Sequence, residues 1–169
     1  MLARVAEPAV RLLFVCMGNI CRSPTAEGIM AHMLRREGLA GAVAIDSAGT
    51  GGWHAGSPPD ERATSAAATR GIALRGTARQ LRATDFEAFD LLLCADADNL
   101  RDVRAIAPDG EARAKVRRLR EFDPLARASG ELDIPDPYYG GARGFEDVLD
   151  LVERACHGLL DDLREQGLV

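Results

Sequence analysis

Leu12-Leu-Phe-Val-Cys16-Met-Gly-Asn-Ile-Cys21-Arg22-Ser23-Pro24 is the stretch on which the fold turns. The apolar run Val10–Val15 has the composition of a short buried strand, and Ser23-Pro24 opens a helix, since Pro is favoured where a first-turn N–H has no partner. Between them, Cys16 and Arg22 flank a five-residue loop containing Gly18. A loop that closes onto a helix N-terminus turns backbone N–H groups inward, and the helix dipole adds positive potential. Arg22 contributes a planar fork that can grip two phosphate oxygens at once. Cys16 stands at the base of the loop, where the same field favours its thiolate. The chemistry this implies is capture of a phosphate dianion by a cradle that also holds a nucleophile.

Outward from that loop, strands and helices alternate. The helix Pro24–Arg36 stops at Gly38, and Val43–Asp46 reads as a second strand leading into the Gly-rich stretch Ser47–Gly56. Pro59–Arg70 suits a helix ended by Gly71. Phe89–Cys94 is the third strand, Ala97–Ile106 a helix, and Lys115–Leu119 a fourth strand despite its charges. Phe145, Val148, Leu149, Val152, Cys156, Leu159, Leu160 and Leu163 keep a 3–4 spacing and place one buried face on a long last helix. Such alternation predicts an α/β fold with a parallel sheet covered on both faces. In that class ligands sit beyond the carboxyl ends of the strands, where the first loop lies. The segments Ser47–Pro59 and Glu121–Gly144 are rich in Gly and Pro and are expected to wall the site.

The totals are consistent with a single domain over residues 1–169. With 47% apolar and 28% charged residues, the chain has an ordinary globular composition. A net charge of −5 argues against nucleic acid and anionic membrane as partners, so phosphate must be held by a local field. No apolar run approaches the ~18 residues of a membrane span. Met1–Val10 lacks a signal-peptide core, so a cytoplasmic location is expected. Cys16, Cys21, Cys94 and Cys156 form no CxxC pair and have no His-rich partner segment, which argues against a structural zinc site.

Thiolate attack on a phosphate ester leaves an oxygen that needs a proton, which a carboxylic acid on a loop near the same sheet edge can supply. Two Asp-Pro pairs qualify, Asp123-Pro124 and Asp136-Pro137. Asp136 is the better placed, because Pro135 and Pro137 fix the backbone around it and Tyr138-Tyr139 follow with flat faces for an aryl group. Asp123 is the fallback.

In that order, Val15-Cys-Met-Gly-Asn-Ile-Cys-Arg-Ser-Pro24, Asp46-Ser-Ala-Gly-Thr-Gly51 and Asp136-Pro-Tyr-Tyr-Gly140 resemble the low-molecular-weight protein tyrosine phosphatases. The likeness extends through Ala78-Arg-Gln80 and Asn99-Leu-Arg-Asp102 and spans nearly the whole chain. It implies a small three-layer α/β sandwich with a four-stranded parallel sheet and a phosphate-binding loop after the first strand. It also implies Cys16 as nucleophile, Arg22 as phosphate clamp and Asp136 as general acid, with no metal and no organic cofactor. Met17, Gly18, Asn19, Ile20, Cys21 and Ser23 would then form the substrate loop, with Asn19 holding its shape and Ser23 donating to Cys16. Trp53, Tyr138 and Tyr139 would line the slot for the tyrosine ring. Cys21 is either packing beneath the loop or the partner of Cys16 in a protective, redox-sensitive disulfide. The implied partner is a phosphotyrosine protein, a bacterial tyrosine kinase being one candidate. One departure is that Arg75-Gly-Thr77 stands where family members often carry a His.

The same fold also hosts arsenate reductases and protein-arginine phosphatases, and a non-catalytic phosphate-binding or redox module is a further alternative. Cys94 has no neighbouring cysteine to relay a disulfide, which counts against a reductase. Ile20 with Tyr138-Tyr139 points to phosphotyrosine rather than phosphoarginine.

Overall fold

The computed structural model describes residues 6–141 and 143–169. The expectations drawn from Met1–Val5 lie outside them. Strands β1 (Val10–Cys16), β2 (Val43–Gly49), β3 (Leu91–Cys94) and β4 (Val116–Arg118) form one sheet in the order β2-β1-β3-β4, every pair parallel. The helices are α1 (Arg22–Arg36), α2 (Glu61–Ala68), α3 (Asp85–Ala88), α4 (Ala97–Ile106), α5 (Gly110–Ala114), α6 (Pro124–Ser129) and α7 (Arg143–Glu165), with single 3₁₀ turns at Leu119–Phe122 and Pro137–Tyr139.

The two-residue period of a strand explains the layers. On β1, Leu12, Phe14 and Cys16 join one apolar cluster with Ile29 and Met30 of α1 and Val152 and Leu159 of α7. Leu13 and Val15 point the other way, into a cluster with Phe86 of α3, Val103 of α4 and Ala112 of α5. Both faces are therefore covered, which is why Leu12–Val15 is an unbroken apolar run; all four side chains are fully buried. Burying each stabilises the fold by about 1.5–3 kcal/mol. The expected apolar face of α7 is buried throughout, with Ala155 added to it.

The strand order reverses direction at β1, with β2 on one side and β3 on the other. The carboxyl end of β1 is thus the switch point of the sheet, where a crevice opens. Loop 16–22 occupies it.

Boundaries differ from the sequence reading where polar groups decide them. β2 runs on to Gly49, since its backbone pairs with β1 as far as Cys16 although Asp46 and Ser47 break the apolar pattern. α2 starts at Glu61, because the Asp60 side chain accepts the N–H groups of Arg62 and Ala63 and caps the helix there. β4 is shorter than Lys115–Leu119, and α3, α5 and α6 are too short for periodicity to announce. Among the described residues no helix is long and apolar enough to cross a membrane, and no group of three or more His, Cys, Asp or Glu is placed to hold a metal.

Candidate active site

The loop is shaped by Asn19, which adopts φ +55°, a conformation that Asn tolerates better than most side chains. Its backbone N–H then donates to Cys16 Sγ at 3.3 Å. Neighbouring segments brace the rim. Thr50 and Gly51 donate to the carbonyls of Cys16 and Met17, and Asp60 donates to that of Ile20. Gly49 permits this approach, since a Cβ there would stand 2.7 Å from the Met17 carbonyl oxygen.

Behind the loop the direction of every hydrogen bond follows from one backbone group. Arg79 N–H donates to Asn19 Oδ1 at 2.9 Å, which fixes the amide so that its Nδ2 faces two serines. That nitrogen donates to Ser23 Oγ at 2.8 Å and Ser47 Oγ at 3.0 Å. Both hydroxyls accept, so each has its own proton to give elsewhere. Ser23 lies 3.0 Å from Cys16 Sγ, and Ser47 donates to Glu27 Oε2 at 2.6 Å. The outcome is a proton donor aimed at the sulfur from buried scaffold. Burial pushes the Glu27 carboxyl up and Asp46 adds to this, against the Ser47 bond and Arg79, which pull it down.

Arg22 is almost wholly buried beside the loop. Its Nη1 donates to Asp96 Oδ2 at 2.5 Å and to the Ile134 carbonyl at 2.9 Å, while Nη2 stands 3.6 Å from Asp136 Oδ2. Burial alone would lower the Arg22 pKa, but the sulfur of Cys16 and the carboxylates of Asp96 and Asp136 outweigh it and raise the value. Asp136 uses its other oxygen, Oδ1, to accept Tyr138 N–H at 3.0 Å, so the turn it caps also aims its free oxygen at the guanidinium.

One pocket gathers Cys16, Met17, Gly18, Ile20, Cys21, Arg22, Asp136, Tyr138 and Tyr139 of the expected residues, together with His54. Asn19 and Ser23 lie beneath the loop rather than in the pocket, where they hold its shape. Trp53 is not part of the lining. It stands 74% exposed with its ring folded over Gly51, and its neighbour His54 forms that wall instead, close enough to Gly18 that a Cβ there would be 3.0 Å from the ring. Tyr138 and Tyr139 meet edge to face with centroids 5.0 Å apart. Asp123, the fallback acid, is buried, caps α6 and pairs with Arg154 at 3.3 Å. Cys21 is buried at the pocket wall, and desolvation with the charges of Asp60, Cys16 and Asp136 pushes its thiol up to about 12. Cys94 and Cys156 are core residues.

Sequence reasoning missed Asp96, Glu27 and the part played by Arg79. Asp96 had a usable signal, since it follows β3 directly and so sits at the same sheet edge as the loop. Glu27 and Arg79 had none, because their roles depend on contacts between distant segments.

The family model described as low molecular weight phosphotyrosine protein phosphatase matches residues 11–168. The chain is 49% identical over 156 residues to a low molecular weight protein-tyrosine-phosphatase of Streptomyces coelicolor, covering 92% of this chain and 94% of that one. Its fold matches a crystal structure of a protein tyrosine phosphatase from Entamoeba histolytica with TM-score 0.88 and 35% identity, over 94% of this chain and 99% of the other. A Drosophila arginine phosphatase matches with TM-score 0.82 and 28% identity, over 89% and 96%.

Proposed function

The chain belongs to the low molecular weight phosphotyrosine protein phosphatase family and is a phosphatase, and from that premise we propose that it hydrolyses phosphotyrosine in proteins, and small aryl phosphates, through a cysteinyl-phosphate intermediate. The observation that carries this reading is the convergence on Cys16 Sγ of Asn19 N–H and the Ser23 hydroxyl, with Arg22 and Asp136 facing each other across the same pocket.

The dianion enters the loop, its oxygens accepting backbone N–H groups and the free edge of Arg22. Asp96 and the Ile134 carbonyl hold the opposite edge of that guanidinium, so the fork is oriented before substrate arrives. The Cys16 thiolate attacks phosphorus, the bond to the phenolic oxygen breaks, and protonated Asp136 gives its proton to that oxygen. Asp136, now a carboxylate, takes a proton from water as it attacks the cysteinyl phosphate. Cys16 leaves as thiolate and inorganic phosphate departs. Tyr138 and His54 line the pocket together with Cys16, so a tyrosine ring is expected to enter between them, and phosphoserine, with its shorter side chain, to be the poorer substrate. Cys21 supports a second, protective role as partner of Cys16 in a reversible disulfide, its buried thiol lying within the same loop.

The test is hydrolysis of p-nitrophenyl phosphate by wild type and Cys16→Ser at mildly acidic pH. Turnover in the first and none in the second is expected. No turnover by folded, reduced wild type would sink the reading. The fold likeness to an arginine phosphatase makes a phosphoarginine peptide the comparison substrate; a higher kcat/KM on it than on its phosphotyrosine counterpart would replace phosphotyrosine in this account.

A further inference from the structure

The general acid and the phosphate clamp come from opposite ends of the chain, and the 3.6 Å gap between Asp136 Oδ2 and Arg22 Nη2 is too long for a hydrogen bond to hold them in register. Something else must set that gap. Along residues 131–136, the tertiary hydrogen bonds fall on Asp133 and Ile134. Asp133 Oδ1 accepts Ala97 N–H, at the start of α4, at 3.0 Å and Arg118 Nη1 at 3.1 Å. The Asp133 carbonyl accepts Arg120 Nη1 at 2.7 Å, Ile134 N–H donates to the Ala95 carbonyl at 2.8 Å, and the Ile134 carbonyl accepts Arg22 Nη1 at 2.9 Å, so Asp133 anchors the segment from the side away from the clamp. From there Pro135 and Pro137 stiffen the backbone on both sides of Asp136, so a shift at residue 133 is carried to the carboxyl group.

The first turn of α4 serves both partners. Asp96 caps that turn by accepting Asn99 N–H at 2.8 Å, and with its other oxygen it holds Arg22. Asp133 docks on Ala97 N–H of the same turn. Clamp and acid are thereby referred to one rigid element, two residues apart.

We infer that Asp133 is a positioning residue for the general acid, fixing Asp136 against Arg22 through the N-terminal turn of α4 and Arg118. The inference rests on the role proposed for Asp136. The Asp133 side chain is 54% exposed, so the ion pair with Arg118 contributes little to stability and its consequence is geometric.

The test compares kcat/KM on phenyl phosphate, a poor leaving group, and p-nitrophenyl phosphate, a good one, for wild type, Asp133→Ala, Asp133→Asn and Asp136→Ala. Misplacing a catalytic group by ~1 Å can cost up to about 10²-fold, so Asp133→Ala should lose roughly tenfold on phenyl phosphate and less than about threefold on p-nitrophenyl phosphate. Inhibition by inorganic phosphate, which reports the Arg22 loop, should change less than about twofold, and the thermal midpoint should barely move. Asp133→Asn keeps an acceptor for Ala97 and Arg118 and should recover most of the loss. Equal losses on both esters, weakened phosphate binding of the same size, or no recovery in Asp133→Asn would overturn the inference. Should Asp133→Ala not fold, Arg118→Ala must show the same selective loss, smaller in size, or the inference fails. Selective loss in Asp136→Ala with none in Asp133→Ala removes the positioning role alone. No selectivity in Asp136→Ala removes the general-acid reading itself.

Discussion

The phosphate loop and the acid loop solve the same problem in opposite ways. Cys16–Ser23 is contiguous in sequence, buried at Cys16, Asn19 and Cys21–Ser23, and cross-braced from behind by Asn19, Ser47 and Arg79, so its shape is set before any ligand arrives. The segment around Asp136 is exposed on one side and has no core of its own; Asp133 and Ile134 tie it to β3, β4 and α4. In the proposed mechanism the nucleophile and phosphate oxygens need fixed positions throughout, whereas the acid must meet a leaving group, and later a water. A rigid floor with a tethered rim suits that division.

The largest expected effect breaks the rim. Asp136→Ala should lower kcat/KM by about 10²–10⁴ on a poor leaving group, and much less on one that needs no proton. Next comes the floor. Arg22→Lys keeps the charge but loses the fork held by Asp96 and Ile134, and a loss of about 10²–10³ in rate is expected, with inorganic phosphate binding weakened alongside. Unlike Asp136→Ala, it should not depend on the leaving group. Asn19→Ala removes both the side-chain bonds and the tolerance for φ +55°, and should lower stability by about 1–3 kcal/mol in denaturant titration. Asn19→Gly, which restores the backbone freedom alone, should lose less.

Two smaller effects sharpen the contrast between the pocket face and the back of the loop. With Cys21 pushed up to about 12, iodoacetate at neutral pH should label Cys16 and leave Cys21 untouched, as peptide mapping would show. Glu27 has its pKa raised by burial, so the folded state holds that proton more tightly than the unfolded chain. Its contribution to stability is therefore present at pH below the ordinary carboxylate value and declines as pH rises through its raised folded value. Glu27→Gln should flatten the pH dependence of unfolding in that window; an unchanged slope would show that Glu27 does not titrate there.

The same contrast decides what could be read from the sequence. β1, the loop and α1 are legible because Leu12–Pro24 carries its own strand, turn and helix signals in order, and α7 because eight apolar positions share one face. Asp136 stands out in the sequence by its flanking prolines, and it lies in the pocket beside Arg22. Trp53 misled, since a lone aromatic in a Gly-rich loop says nothing about which way the loop folds; the chain turned the ring onto Gly51 and presented His54. Asp96 is signalled only by its place just after β3, Glu27 and Asp133 by nothing in the sequence, and the reason is shared. Each acts on a partner far away in sequence, and only the parallel sheet, which brings strand ends to one edge, makes them neighbours.

The most direct test of the central claim is to quench the enzyme in acid during turnover of an aryl phosphate and map the adduct by mass spectrometry. One phosphoryl group on the peptide carrying Cys16, absent in Cys16→Ser, is the predicted result. A phosphoryl group on any other residue, or hydrolysis that persists undiminished in Cys16→Ser, would contradict it.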